Sequence, residues 1–150
     1  MNHNTPDANL INMVTQWPIP KCRSLDIGCG TGDNAIWLAR QHFVVTGFDI
    51  SQNAVVIATG KYSESKFDCT FLVADFLESR IPGCPFGFVF DRGCFHSVGA
   101  GKERMQFAEI VSSYLEADGL WLTLAGNADE QAREIGPPQL SASELISAVE

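Results

Sequence analysis

Short apolar runs alternate with helical patterns from Ser24 to Ala125, and that alternation admits few folds. Ser24–Ile27, Phe43–Ile50, Phe67–Val73, Phe86–Phe90 and Leu120–Ala125 are short and apolar, so they read as buried strands. Between them, Thr31–His42 puts Ala35, Leu38 and Ala39 on one face. Ser51 reads as the N-cap of a helix running to about Tyr62, and Gly101–Glu116 spaces Phe107, Ile110, Val111 and Leu115 at helical intervals. Strands alternating with helices call for a parallel sheet covered on both faces, a doubly wound, Rossmann-like α/β fold. The length of 150 residues suits one domain over 1–150. An amphipathic helix over Asp7–Gln16, with Leu10, Ile11 and Val14 inward, precedes the first strand and stops before Pro18 and Pro20. Gly126–Leu140 reads as a polar loop, and the capping box Ser141-Ala-Ser-Glu144 opens a final helix that is cut off at Glu150.

Ligands of such sheets sit beyond the carboxyl ends of the strands, so the informative residues are those where strands end. The first strand runs into Gly28, Gly30 and Gly32 of LDIGCGTGDN, which let the chain turn sharply and leave backbone N–H groups open at a helix start. A dinucleotide fingerprint has the spacing G-x-G-x-x-G; this turn has G-x-G-x-G, with Asp26 two residues ahead of it. A carboxylate there repels a pyrophosphate and suits an ammonium group. The second strand ends in Asp49, about 20 residues after Gly28, where an acid accepts from ribose hydroxyls. The third ends in Asp75 and Phe76, a pair suited to an exocyclic amine and the flank of an adenine ring. The fourth ends in Asp91-Arg92-Gly93.

Composition bounds the partners. A formal net charge of −8 disfavours non-specific contact with nucleic acid or with anionic membrane surfaces. No apolar run approaches the length of a membrane span, and the N-terminus lacks the pattern of a signal peptide. Five cysteines without a C-x-x-C pair read as free thiols in a reducing cytoplasm, and no metal-ligand spacing is present.

The stretches LDIGCGTGDNAIWLA, VTGFDIS, FLVADF and VFDRGCFHSV resemble the class I S-adenosylmethionine-dependent methyltransferases. FDRGCFH, with GPPQLSASEL further on, is similar to a bacterial branch that includes the thiopurine, tellurite-resistance and thiol methyltransferases. The resemblance implies S-adenosylmethionine as cofactor, S-adenosylhomocysteine as product, and a small-molecule methyl acceptor such as a thiol or another soft nucleophile. It implies cofactor contacts from Asp26, Gly28, Cys29, Gly30, Gly32 and Asn34 around the methionine part. Asp49 falls on the ribose acid, Ile50 beside the adenine, Asp75 and Phe76 on the adenine-side pair, and Asp91 on the segment facing the acceptor. His96 is the best-placed titratable base and Arg92 the candidate for an acceptor anion, against the plainer readings of a packing His and an Arg paired with a carboxylate.

Two rival functions are an NAD-dependent oxidoreductase, opposed by the glycine spacing and Asp26, and a cofactor-binding remnant without catalysis. The remnant draws on length: the family's strand order, 3-2-1-4-5-7-6, ends in a hairpin of strands 6 and 7 that this sequence lacks on its face, as though truncated at both ends. The edge of strand 5, Leu120–Ala125, is free of charge and proline, and so is expected to seek a cover. A second copy of the chain, the segment Gly126–Leu140 folding back, or residues of a longer parent are the candidates. Association or truncation is favoured, because Gly136-Pro137-Pro138 is a poor pairing strand.

Overall fold

β1 (Arg23–Ile27) occupies the middle of the sheet, as four nearly continuous buried residues require. A computed structural model describes residues 5–17, 19–62, 67–97, 101–124, 133–136 and 146–149 of the chain. β1 pairs in parallel with β2 (Val44–Asp49) on one side and β4 (Phe86–Arg92) on the other. β3 (Cys69–Val73) lies outside β2, and β5 (Leu115–Leu124) outside β4, giving the expected order 3-2-1-4-5.

Side-chain alternation divides the core into two layers. Leu25, Ile27, Phe48, Val89 and Trp121 face one way, under Phe76, Ile81, Phe95 and the helix α5 (Lys102–Tyr114) with its Phe107, Val111 and Tyr114. Val45, Phe88, Phe90 and Leu122 face the other way, under α1 (Ala8–Gln16) and α2 (Asp33–Arg40). Phe86 breaks the parity of Phe88 and Phe90; a register shift between Phe86 and Phe88 turns it to the opposite layer. In α1 the buried residues are Leu10, Met13 and Val14, so Met13 takes the inward place expected of Ile11. α3 (Gln52–Lys61) starts as read, with Ser51 Oγ accepting the Ala54 N–H at 3.2 Å. A short α4 (Cys94–Ser97), not anticipated, follows β4 directly.

The far edge corrects the sequence reading. β6 (Arg133–Gly136) returns antiparallel to β5, with Leu122 opposite Ile135 and Thr123 opposite Glu134, and β7 (Ile146–Val149) pairs antiparallel with β6. The sheet therefore runs 3-2-1-4-5-6-7, and a pair of short strands stands where none was expected. The folding-back segment covers the edge that was assigned to a second copy or a longer parent. β6 spans Arg133–Gly136, so the described pairing needs no proline, and Pro137 and Pro138 lie outside the described residues. The helix expected from Ser141 is corrected too. Ser141–Glu144 lie outside the described residues, while Ile146–Val149 form a strand, where Ile and Val suit a pairing surface better than a capping box predicts.

Hydrogen exchange checks the edge: β5 amides that face β6 are protected, and Ile135→Pro, which deletes a ladder donor, speeds their exchange while β1 and β2 stay protected. Rapid exchange at those amides in the native chain contradicts the pairing.

Candidate functional site

The three glycines differ in what requires them. Gly28, Gly30 and Gly32 have φ of 67°, 56° and 92°, a region side chains rarely adopt. A Cβ on Gly28 would lie 2.2 Å from Cys94 Sγ, and one on Gly32 would lie 2.9 Å from both Ala58 Cβ and the Phe71 ring. Those two glycines admit other parts of the protein. A Cβ on Gly30 would meet nothing within 4 Å, so Gly30 is the point where the turn borders open space.

Asp49 fixes that point. Its Oδ2 accepts the Gly30 N–H at 3.0 Å and its Oδ1 accepts the Ser51 N–H at 2.9 Å. A carboxylate offers about four acceptor positions, so each oxygen keeps capacity for a further donor. Ile50 beside it is 70% exposed, and Val73, the register partner of Asp49, is exposed as well. Two apolar side chains thus stand in the open at adjacent strand ends.

Beneath the turn lies Asp26, 2% exposed, whose Oδ2 has no hydrogen-bond partner among the described residues. Burial, then the charges of Asp91 and Asp49, push its carboxyl well above the ordinary carboxylate range. Burial, then the charges of Asp91, Asp26 and Asp49, raise the Cys94 thiol to about 12, and Cys94 Sγ donates to the Ile27 carbonyl at 3.5 Å. Cys29, buried in the turn, is raised further still, by burial first and Asp26 next. Both sulfurs are therefore thiols, not nucleophiles, at neutral pH.

Several residues assigned to the site from sequence are engaged elsewhere. Asp91 is fully buried; its Oδ1 accepts the Phe95 N–H and its Oδ2 the Trp121 indole N–H, both at 3.0 Å, so it joins β4, α4 and β5. Phe76 is core, stacked on Phe48 at 5.6 Å and packed against Phe107 and Tyr114. Asp75 caps its own turn, accepting from the Leu77 N–H at 3.0 Å, and remains partly exposed at the end of β3. Asn34 Oδ1 accepts the Asp7 N–H at 2.6 Å, and Arg92 Nε pairs with Asp7 Oδ2 at 2.6 Å. Arg92 thus takes the carboxylate-paired reading. His96 belongs to α4, and its side chain lies outside the described residues. Asp7 was missed: it reads locally as a helix cap, and nothing near it in the chain announces partners as distant as Arg92. No cluster of metal-ligating side chains occurs among the described residues.

A family model described as "Methyltransferase domain" matches residues 25–119, from β1 into β5. The chain is 33% identical over 143 residues to "Probable thiol methyltransferase 2" of Arabidopsis thaliana, covering 93% of this chain and 61% of that protein. A structure solved in work on converting a disulfide bond into a thioacetal group during echinomycin biosynthesis matches with a TM-score of 0.70 and 27% identity, over 79% of this chain and 49% of that one. Magnesium protoporphyrin IX methyltransferase from Synechocystis, solved with bound S-adenosylmethionine, shares the fold with a TM-score of 0.65 at 22% identity, over 78% of this chain and 55% of that one. The chain thus spans about half to three-fifths of these proteins.

The lone Asp26 carboxylate makes a signed prediction. Its proton is held more tightly in the folded state than in the unfolded chain, whose carboxyl titrates near 3.8. The folded state binds the extra proton, so ligand-free stability falls as pH climbs from there through the raised folded value. Asp26→Asn removes that slope and raises the ligand-free melting temperature at pH 8 by about 2–4 °C, the effect of ~1 kcal/mol in a chain of this size. A melting profile in which mutant and native chain show the same pH slope contradicts it. Separately, Cys94 resists iodoacetamide at pH 8 in the native chain and reacts once it is unfolded.

Proposed function

We propose a methyl-transfer role on one premise: the chain belongs to the methyltransferase-domain family, as a class I S-adenosylmethionine-dependent methyltransferase. In this reading it binds S-adenosylmethionine at the carboxyl ends of β1 and β2 and methylates a small-molecule acceptor, a thiol or other soft nucleophile. The observation that carries it is the buried, unpartnered oxygen of Asp26 beneath an open glycine turn. An isolated buried carboxylate is costly, and a cationic ligand removes the cost. The residues fit the three parts of the cofactor: Asp26 and the turn suit an ammonium amino acid, the spare acceptor positions of Asp49 suit a ribose diol, and exposed Ile50 suits an adenine face. Asp75, partly exposed at the next strand end, suits the exocyclic amine.

When bound, the cofactor supplies an activated methyl group on a sulfonium. The protein's share is to hold the donor, align the acceptor with it and keep water out. Gly30, with its N–H held by Asp49, leaves room for close approach. Cys29 and Cys94, kept protonated, do not compete with the acceptor for the methyl group. A thiol acceptor needs little further help, since part of it is already thiolate near neutral pH. That suits a site in which Arg92 is paired with Asp7 and Asp91 is tied to Phe95 and Trp121. The likeness to an Arabidopsis protein named as a thiol methyltransferase supports the same class of acceptor. His96 remains the candidate base for acceptors that must lose a proton. The five free cysteines accord with a reducing compartment such as the cytoplasm, and no helix of the described residues is long and apolar enough to cross a membrane.

Titration calorimetry with S-adenosylhomocysteine is expected to show one site. Asp49→Ala should lose about 1.5–3 kcal/mol of that binding, the worth of a charged hydrogen bond. An unchanged dissociation constant removes Asp49 from the site, and binding of NAD in place of S-adenosylhomocysteine overturns the reading. Turnover is followed by S-adenosylhomocysteine release with benzenethiol, iodide and a thiopurine. Binding without turnover on any of them would point to the non-catalytic alternative.

A further inference from the structure

Asp7 touches both walls of the crevice at once. The order β2-β1-β4 makes the gap between the ends of β1 and β4 the switch point of the sheet, where ligands of doubly wound folds lie. On the β1 side, the Asp7 N–H donates at 2.6 Å to Asn34 Oδ1, in the first turn of α2. On the β4 side, Arg92 Nε donates at 2.6 Å to Asp7 Oδ2. The remaining oxygen, Oδ1, caps α1 by accepting the Asn9 N–H at 2.7 Å. One residue thereby fastens a whole helix to the start of α2 and the end of β4, while Leu10, Met13 and Val14 seat that helix on the sheet. The side chain of Arg92 is 49% exposed and that of Asp7 only 11%. Among these ties the ion pair stands half in water and opens at least cost.

Resting on the cofactor reading above, we propose that the Asp7–Arg92 pair is the latch of an N-terminal strap across the crevice, and that it sets the rate at which S-adenosylhomocysteine leaves. Asp7 and Arg92 are positioning residues in this role. The strap keeps its seat on the sheet through the apolar face of α1, and release of the charge pair detaches it from β4, leaving its first turn tied only to Asn34 on the other wall. Because the pair is partly solvated, added salt loosens it.

The test measures the S-adenosylhomocysteine off-rate of the full chain by surface plasmon resonance. Asp7→Asn keeps a good helix cap and the backbone bond to Asn34 but removes the charge. Its off-rate is expected to rise about fivefold, as loss of a partly exposed pair allows, with the ligand-free melting temperature lowered by no more than about 2–4 °C. Arg92→Lys retains most of the latch, and Asp7→Asn with Arg92→Gln is no faster than either change alone, because both break one pair. An unchanged off-rate in Asp7→Asn, or fully additive single effects, overturns the latch. If the native chain binds no S-adenosylhomocysteine, the cofactor reading itself fails, and hydrogen exchange then judges the latch. Asp7→Asn must speed exchange at the α1 amides without altering those of β1 and β4; equal exchange at α1 overturns it.

Discussion

A carboxylate at the end of β2 accepts the N–H of a glycine beyond the end of β1. The Asp49–Gly30 bond fixes where the chain turns, and much of the site follows from it. With Gly30 pinned, Gly28 passes under Cys94, Gly32 packs against Ala58 and Phe71, and α2 begins at Asp33. The same carboxylate holds the Ser51 N–H, so it also sets the approach to α3. A single acidic side chain coordinates two consecutive strand–helix transitions and still keeps acceptor positions free.

The cost of this arrangement is concentrated negative charge. Asp26, Asp49 and Asp91 influence one another at the strand ends, and Asp26 Oδ2 has no hydrogen-bond partner among the described residues. Asp91 is reconciled with burial by two hydrogen bonds from within the fold, and Asp49 by two backbone donors. Asp26 Oδ2 has no such remedy among the described residues. A sequence selected for stability alone would place an apolar or amide side chain there, so the carboxylate is the costliest side chain at these strand ends.

Legibility in the sequence depended on the range of the signal. β1 to β5, α2, α3 and α5 followed from local period and punctuation, because their burial is written into neighbouring residues. The placement of the glycine turn and of Asp49 at adjacent strand ends was likewise readable, since strand ends position them. Phe76 was not: an aromatic residue after a strand looks the same whether it flanks a ligand or fills a core, and Phe48, Phe107 and Tyr114 decide the matter from elsewhere in the chain. The partners of Asp91, Asn34 and Arg92 within the fold were hidden for the same reason, since Trp121 and Asp7 lie far off in the chain. β6 and β7 escaped because the need of β5 for a neighbour outweighs the local signals of loop and capping box.

Trp121 has a consequence of its own. Its indole N–H is bonded to the carboxylate that also holds the first turn of α4, and its ring lies edge-on to Phe95 and stacked over Phe107. The ring is buried, whereas Trp17 is exposed and Trp37 partly so. The fold therefore carries an intrinsic fluorophore wired to α4: any shift of α4 alters the field and packing around this one of the three indoles, and the change in native emission that follows is a gauge of motion that needs no added label.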